Sequence, residues 1–490
     1  MASPAERAQL GRATRKQVSR RSHARWSPAA DRPDPIGVLV RQGADRLPDL
    51  LPIRYGRMSA SPFAFLRGSA AVMTADLAAV PHTGLIVQLC GDAHLLNFGV
   101  FASPERTLLF DLNDFDETLP GPFEWDVKRL AASVAVAARE NGHGDEAARQ
   151  SALEAVQAYR LSMRRLAGQG ELEVWYGRIG TDELFALAEG VAPRERIEAT
   201  LSRARRRTSL QALAKLTEKR DGRIRIINDP PLLQPVTEDE ARIVDQTFRQ
   251  YRDTLPEERR MLLDRYHYVD AARKVVGVGS VGTRCFIVLM SGRDDGDPLF
   301  LQIKEAVPSV LEPHLPADQG SQGNQGKDAK GDQGKATKGD QGNATKGKDN
   351  EGKDEDRGYR HPRYDHQGHR VVAGQRLLQA AGDIFLGWVT GPAGRHFYTR
   401  QLRDMKGSAV VEAMAPTRLR RYAALCGMAM ARAHARSGDR IALAGYLGAS
   451  DVFDRSVADF ALAYADLTRT DHALLTKAIA DGTVPATPGV

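Results

Sequence analysis

The chain has little cysteine and no long apolar run. Its three cysteines, Cys90, Cys285 and Cys426, lie far apart in apolar surroundings. That excludes a disulfide framework and the paired spacing of a zinc site, and a reducing, cytoplasmic setting is expected. No uninterrupted apolar stretch reaches the roughly 18 residues a spanning helix needs. The N-terminus also lacks the hydrophobic core of a signal peptide. At 490 residues the chain is long enough for a sizeable core, and two lobes with appendages are expected.

Charge is modest in sum and uneven in place. The net charge is +7, and residues 1–60 alone carry 12 Arg and Lys against 5 Asp and Glu. Such a tail binds nucleic acid or anionic surfaces without sequence preference. Its most basic part, Met1–Arg25, has Trp26 as its single nearby aromatic and lacks a stacking platform for bases. Residues 1–50 therefore read as a basic, partly disordered arm. A second basic patch, Arg203–Arg225, reads as a solvated face. Ser61-Pro62 starts a helix that runs through Leu77. Beside it, Arg54, Arg57 and Arg67 either face phosphates or form structural ion pairs.

The chemistry concentrates between Leu89 and Leu130. Gly84–Cys90 (GLIVQLC) reads as a short buried strand that Gly91 breaks, leaving Asp92, His94 and Asn97 on the turn. Thr107–Phe110 reads as a second strand that delivers Asp111, Asp114 and Asp116 at its C-terminal end. Two strand ends then present an Asp/Asn pair and an acidic cluster. Such oxygen ligands suit Mg²⁺ holding a polyphosphate, because that cation takes one or two carboxylates plus substrate oxygens. One carboxylate is left to accept a proton from an attacking hydroxyl. The plainer alternative is that Asp114 and Asp116 cap a turn.

Gly91–Asn97 (GDAHLLN) is similar to the G-D-x-H-x-x-N catalytic loop of aminoglycoside-phosphotransferase-like kinases. Asp111 falls 14 residues after Asn97, close to where those kinases carry a metal-binding Asp. Glu124-Trp125-Asp126-Val127 resembles their W-D-L-A element, whose Asp buttresses the catalytic loop from a following helix. The chain as a whole resembles the bacterial domain-of-unknown-function family 2252, grouped by similarity with kinase-like folds. The resemblance implies Asp92 as the base, with His94 beside it among the catalytic residues. It implies Asn97 and Asp111 as Mg²⁺ ligands, with Asp114 as an auxiliary one.

Lys274–Ala306 holds a G-x-G-x-x-G at Gly277, Gly279 and Gly282. A dinucleotide fingerprint would open a helix directly after the last glycine. Here Thr283–Met290 is β-branched and apolar and reads as a strand, followed by a turn and a strand Pro298–Ile303 that ends at Lys304. That is the order of a kinase nucleotide-binding lobe, in which glycines admit phosphates close to the backbone and the lysine supplies charge. A plain β-hairpin with a flexible turn competes with it.

Further helices are expected over Val127–Ala138, Glu146–Leu166, parts of Asp182–Thr217, His369–Asp383, Arg418–Arg436 and Asp451–Ala480, and a strand over His396–Leu402. In helix His369–Asp383 a kinase would carry the lysine's glutamate. This one has Gln375 and Gln379, and Glu305 or Glu312 are the substitutes. His434 reads as a helix-end or packing histidine rather than a base. Residues 317–357 contain the near-repeats KGDQGKAT and KGDQGNAT and read as a disordered insertion.

Because the catalytic loop precedes the glycine loop, the fold expected is α+β: a two-lobed protein-kinase-like fold, circularly permuted. The mainly helical large lobe spans 51–270 and the β-rich small lobe 271–410, interrupted by 317–357, with helices of 411–490 packing on the large lobe. Permutation is tolerable where termini lie close at the surface. The function expected is an ATP- and Mg²⁺-dependent phosphotransferase acting on a hydroxyl of an unknown substrate. The missing glutamate favours an alternative, a nucleotide-binding pseudokinase-type regulator without turnover. A metallophosphatase is a third class, but no Gly-Asn-His motif follows the Asp92-Ala93-His94 element. Expected partners are a nucleotide and the hydroxyl substrate, with nucleic acid only nonspecifically through the basic arm.

Overall fold

The computed structural model describes residues 2–188, 194–315, 364–402 and 405–489. The near-repeats of 317–357 lie outside the described residues. The elements below belong to one unit, Met1–Leu315 with His366–Val490.

The basic N-terminal segment is not an arm where it is described. Helix α1 (Pro4–Thr14) opens on a capping box between Ser3 and Glu6. Arg15 donates to the Tyr446 carbonyl at 2.8 Å and also to that of Gly445, and Arg20 donates to the Leu447 carbonyl at 2.6 Å. These carbonyls end a short helix, Arg440–Leu447. A helix C-terminus leaves acceptors open and carries partial negative charge, so guanidinium groups there satisfy both needs. Charge that suggests a solvated tail in the sequence is matched to a helix end in the fold.

Helices α2 (Pro35–Gly43), α3 (Leu51–Met58), α4 (Pro62–Gly68) and α5 (Ala70–Ala78) follow. Ser61 caps α4 through the Ala64 N–H, as its position before a proline predicts. The helix expected to run through Leu77 breaks at Ser69, whose backbone (φ −113°, ψ 36°) leaves the helical region. Arg32 clamps this region to the C-terminal helix by bridging Asp76 at 2.7 Å and Asp471 at 2.6 Å.

Four short strands come next: β1 (Ile86–Leu89), β2 (Phe98–Ala102), β3 (Leu108–Leu112) and β4 (Leu119–Pro122). β1 pairs antiparallel with β4, Leu89 opposite Leu119, and β2 pairs antiparallel with β3, Gly99 opposite Asp111. Helix α6 (Phe123–Glu140) is buried from Phe123 through Ala138, which its small, alanine-rich surface permits. It packs on α7 (Gly144–Leu166).

Helices α8 (Glu171–Tyr176), α9 (Thr181–Ala188), α10 (Arg194–Arg205) and α11 (Ser209–Leu216) lead to an exposed basic hairpin, β5 (Thr217–Arg220) and β6 (Arg223–Ile226). Then come β7 (Leu233–Pro235), α12 (Glu238–Asp253), α13 (Glu257–Leu263), β8 (His267–Lys274), β9 (Cys285–Ser291) and β10 (Pro298–Glu305). After α14 (Gln367–Leu378) come β11 (Gly387–Thr390) and β12 (His396–Gln401). These strands form a six-stranded antiparallel sheet in the order β11-β12-β10-β9-β8-β7. Every residue of β9 and β10 is buried. Alternation divides them: Phe286, Val288 and Met290 pack toward Val244 and Tyr251 of α12, while Ile287 and Leu289 pack toward Ala212 and Leu216 of α11. A sheet covered on both faces explains why this stretch is apolar throughout.

Helix α14 stops at Leu378, short of the expected Asp383. Gln379 turns to an extended backbone (ψ 144°) and its amide donates to the Leu112 carbonyl at 2.6 Å, tying the chain to β3. β13 (Gly407–Ser408) adds to β2, and α15 (Pro416–Ser437), α16 (Arg440–Leu447) and α17 (Val452–Ala480) complete the fold. α15 packs along α7, and α17 packs across α6 and α7. The fold class is therefore α+β. All three cysteines are free and buried. Among the described residues, no helix is long and apolar enough to cross a membrane.

Candidate functional site

The loop after β1 is built on Gly91 (φ +85°), where an added Cβ would come within 2.3 Å of the Glu117 carbonyl oxygen. Only glycine fits that approach. Asp126, in the first turn of α6, then accepts the N–H groups of Cys90 at 2.7 Å and Gly91 at 3.1 Å. His434 of α15 faces the same carboxylate at 3.2 Å and packs against Tyr159, in keeping with a packing role.

That support presents Asp92, His94 and Asn97. Asp92 is gripped by Arg129 of α6, whose Nε lies 2.9 Å and Nη2 2.7 Å from its Oδ1. Burial raises the Asp92 pKa, and the Arg129 guanidinium opposes that without cancelling it. Asn97 donates its side-chain amide to the Asp92 carbonyl at 2.6 Å. His94 is buried, its Nδ1 accepting from the Leu96 N–H at 3.2 Å. Burial, reinforced by Arg67 and Arg129, drives its pKa well down, so the ring is neutral at neutral pH.

The acidic cluster divides. Asp111 lies within β3 and does not reach the cavity that the other residues line. Its carboxylate accepts the N–H groups of Ala380 and Leu112, both at 2.9 Å, and so fastens the turn after α14 to the strand. Asp114 and Asp116, beyond the strand end, do line the cavity. The expected order of Asp111 before Asp114 is thus reversed in position, because Asp111 keeps the fixed direction of a strand residue while Asp114 sits on the following turn. Burial and the neighbouring Asp116 raise the Asp114 pKa.

Asp116 is the partner of Lys304. The ammonium pairs with Asp116 Oδ2 and donates to Ser280 Oγ at 2.8 Å, and Tyr398 donates to Asp116 Oδ1 at 2.7 Å. Burial works to raise the Asp116 pKa, but Lys304 and Tyr398 outweigh it and hold it below the usual range. The expected substitutes are engaged elsewhere: Glu305 pairs with Arg284 and Arg395, and Glu312 accepts from Gln367.

The glycine loop joins β8 to β9. Gly277 (φ +65°) and Gly282 (φ +94°) take left-handed backbone that side chains disfavour. Its carbonyls turn toward arginines of the N-terminal helices: Arg57 donates to Gly277, Arg54 to Gly279 and Arg46 to Val281. Gly277, Gly279 and Ser280 line the same cavity as Asp92, His94, Asn97, Asp114 and Asp116. Gly282 and Lys304 stand just behind that wall. The cavity measures about 110 Å³. Among the described residues, no three His, Cys, Asp or Glu side chains converge to hold a metal ion.

Sequence reasoning missed Arg129, Arg46, Ser280 and Tyr398. Arg129 stands three residues after Asp126, which puts both on one helix face, and that spacing was a usable signal. Nothing local marks Ser280 or Tyr398, whose parts depend on the sheet register.

The family described as "Uncharacterized protein conserved in bacteria (DUF2252)" matches residues 46–330 and 351–478. No curated protein matches the chain, and no solved structure does. The matched segments hold Asp92, Asn97, Asp114, Asp116, the glycine loop and Lys304. They cover most of the chain, which therefore belongs to the bacterial DUF2252 family.

Proposed function

We propose that the cavity is the catalytic centre of an ATP- and Mg²⁺-dependent phosphotransferase that moves a phosphoryl group to a hydroxyl. One observation carries this: a glycine loop and an Asp-x-His-x-x-Asn loop, remote in sequence, line one cavity, with Lys304 paired to Asp116 behind it. On this proposal the chain is a two-lobed, kinase-like fold in circularly permuted order, with the nucleotide and the acceptor meeting between β10 and the loop after β1.

Asp92 is then the base. It takes the proton of the acceptor hydroxyl as that oxygen bonds to phosphorus and the bond to the leaving phosphate breaks. Its raised pKa favours proton acceptance, and Arg129 fixes its direction. His94, neutral and buried, shapes the loop. Asn97 and Asp114 supply oxygens on the same cavity, and Asp114 accepts among the described residues only the Asp116 N–H, at 3.3 Å. Two such groups plus phosphate oxygens fit the donor set of Mg²⁺. Mg²⁺ bound there would offset the negative charge of the phosphates.

Lys304 committed to Asp116, and α14 without a glutamate, favour a second reading: a nucleotide-binding regulator without turnover. Thermal melting with ATP and Mg²⁺, run beside an ADP-formation assay, separates the two. A higher midpoint is expected for wild type and Asp92→Asn alike, with turnover in wild type only. A midpoint that ATP and Mg²⁺ leave unmoved would overturn both; a shift without turnover selects the regulator.

A further inference from the structure

Lys304 commits its ammonium to Asp116 and Ser280, so the charge for a bound phosphate has to come from elsewhere. Arg46, Arg54 and Arg67 line the same cavity, and none forms an ion pair among the described residues. Arg46 and Arg54 are occupied by neutral acceptors, the loop carbonyls of Val281 and Gly279 and, for Arg54, also Gln42 and Gly68. Arg67 stands apart. Its Nε, like that of Arg54, is shut away from solvent with no partner, but unlike Arg54 its whole guanidinium has no hydrogen bond among the described residues. Buried donors are nearly always satisfied, so one left open beside a cavity points to a ligand.

Its neighbours hold Arg67 firmly in place. The Leu66 carbonyl accepts Arg129 at 2.6 Å, the same guanidinium that grips Asp92. The Gly68 carbonyl accepts Arg54 at 2.9 Å, the guanidinium that holds Gly279. Arg67 is thus pinned on both sides, between the two loops of the site. Of the carboxyl groups that line the cavity, Asp92 is offset by Arg129, Asp116 by Lys304 and Glu305 by Arg284 and Arg395, while Asp114 and Glu117 form no ion pair among the described residues. On the Arg67 wall, three guanidinium groups stand together with no carboxylate bonded to any of them among the described residues.

We propose that Arg67 is the residue that binds a phosphate group in this cavity. A planar guanidinium fork matches two oxygens of a tetrahedral oxyanion, and Arg46 and Arg54 add charge suited to a dianion. Resting on the phosphotransferase reading for its source, that phosphate belongs either to the nucleotide or to a phosphorylated acceptor.

The test titrates inorganic phosphate and pyrophosphate against the full chain by thermal melting, without nucleotide, at ionic strength held constant with chloride. Wild type should be stabilised, and Arg67→Gln should lose at least tenfold in apparent affinity. Arg67→Lys should lose several-fold, since an ammonium lacks the fork, and it serves if Arg67→Gln fails to fold. Repeating the titration with saturating ATP and Mg²⁺ assigns the source: competition means the nucleotide's phosphate, additive stabilisation the acceptor's. Arg67-dependent phosphate binding without any ATP binding would leave the assignment standing while the phosphotransferase reading falls. Equal affinity in wild type and both variants, or no stabilisation of wild type, would overturn the assignment.

Discussion

Lys304, at the end of β10, and Asp116, on the turn beyond β3, form an ion pair across 188 residues of sequence. Both side chains are largely withdrawn from water, the lysine 3% and the aspartate 24% exposed. Burial penalises both charges, and the pair holds because Tyr398 and Ser280 complete its hydrogen bonds. The pair fastens the six-stranded sheet to the turn that carries Asp114.

Breaking that pair from one side leaves a buried charge alone. Lys304→Ala is expected to cost about 3 kcal/mol of stability. The double variant Lys304→Met/Asp116→Leu should cost less than either single change. Denaturant unfolding of the three proteins decides it, and additive losses would show that the two charges act independently.

Asp111 and Asp114 should part company under mutation. Asp111→Ala strands the buried N–H of Leu112 and the part-buried N–H of Ala380, at a cost of about 1–3 kcal/mol, with no change in Mg²⁺ requirement. Asp114→Ala should raise the Mg²⁺ concentration needed for nucleotide-induced stabilisation and leave the unliganded melting point nearly unchanged. The opposite pattern would return Asp111 to the site.

Glu117 offers a pH signature. Burial pushes its pKa up to about 7 from an ordinary 4.5, opposed by the Val310 N–H. The folded state therefore holds this proton more tightly than the unfolded chain. Its contribution is fully present below about pH 4.5 and is lost as pH rises to about 7. Glu117→Gln should remove that slope and gain about 1–3 kcal/mol over wild type above pH 7. Parallel stability-against-pH curves for the two proteins would refute the shift.

Asp126 supports the loop without touching the cavity. Asp126→Ala frees the Cys90 and Gly91 amides and leaves His434 facing no carboxylate. Turnover should fall by orders of magnitude, with faster amide exchange at residues 90–97. Normal exchange there would assign the carboxylate to helix packing alone.

Local pattern determined a good part of this protein. The apolar run before Gly91, the glycine that breaks it, and the β-branched run after Gly282 are signals carried by neighbouring residues, and β1 and β9 form where those signals lie. Asp126 was legible in the same way, at the start of a helix behind the loop. Tertiary structure decided the rest. Which carboxylate faces the cavity depends on where β3 ends and its turn begins, so Asp111 and Asp114 could not be ranked by spacing alone. The register of β10 against β12 brings Tyr398 opposite Lys304, and both then meet Asp116, which no local pattern pairs with them. The basic N-terminal charge finds its use only because a helix end in residues 440–447 stands beside it. In the last two cases the deciding neighbour lies far away in sequence, and its approach is set by packing rather than by any local periodicity.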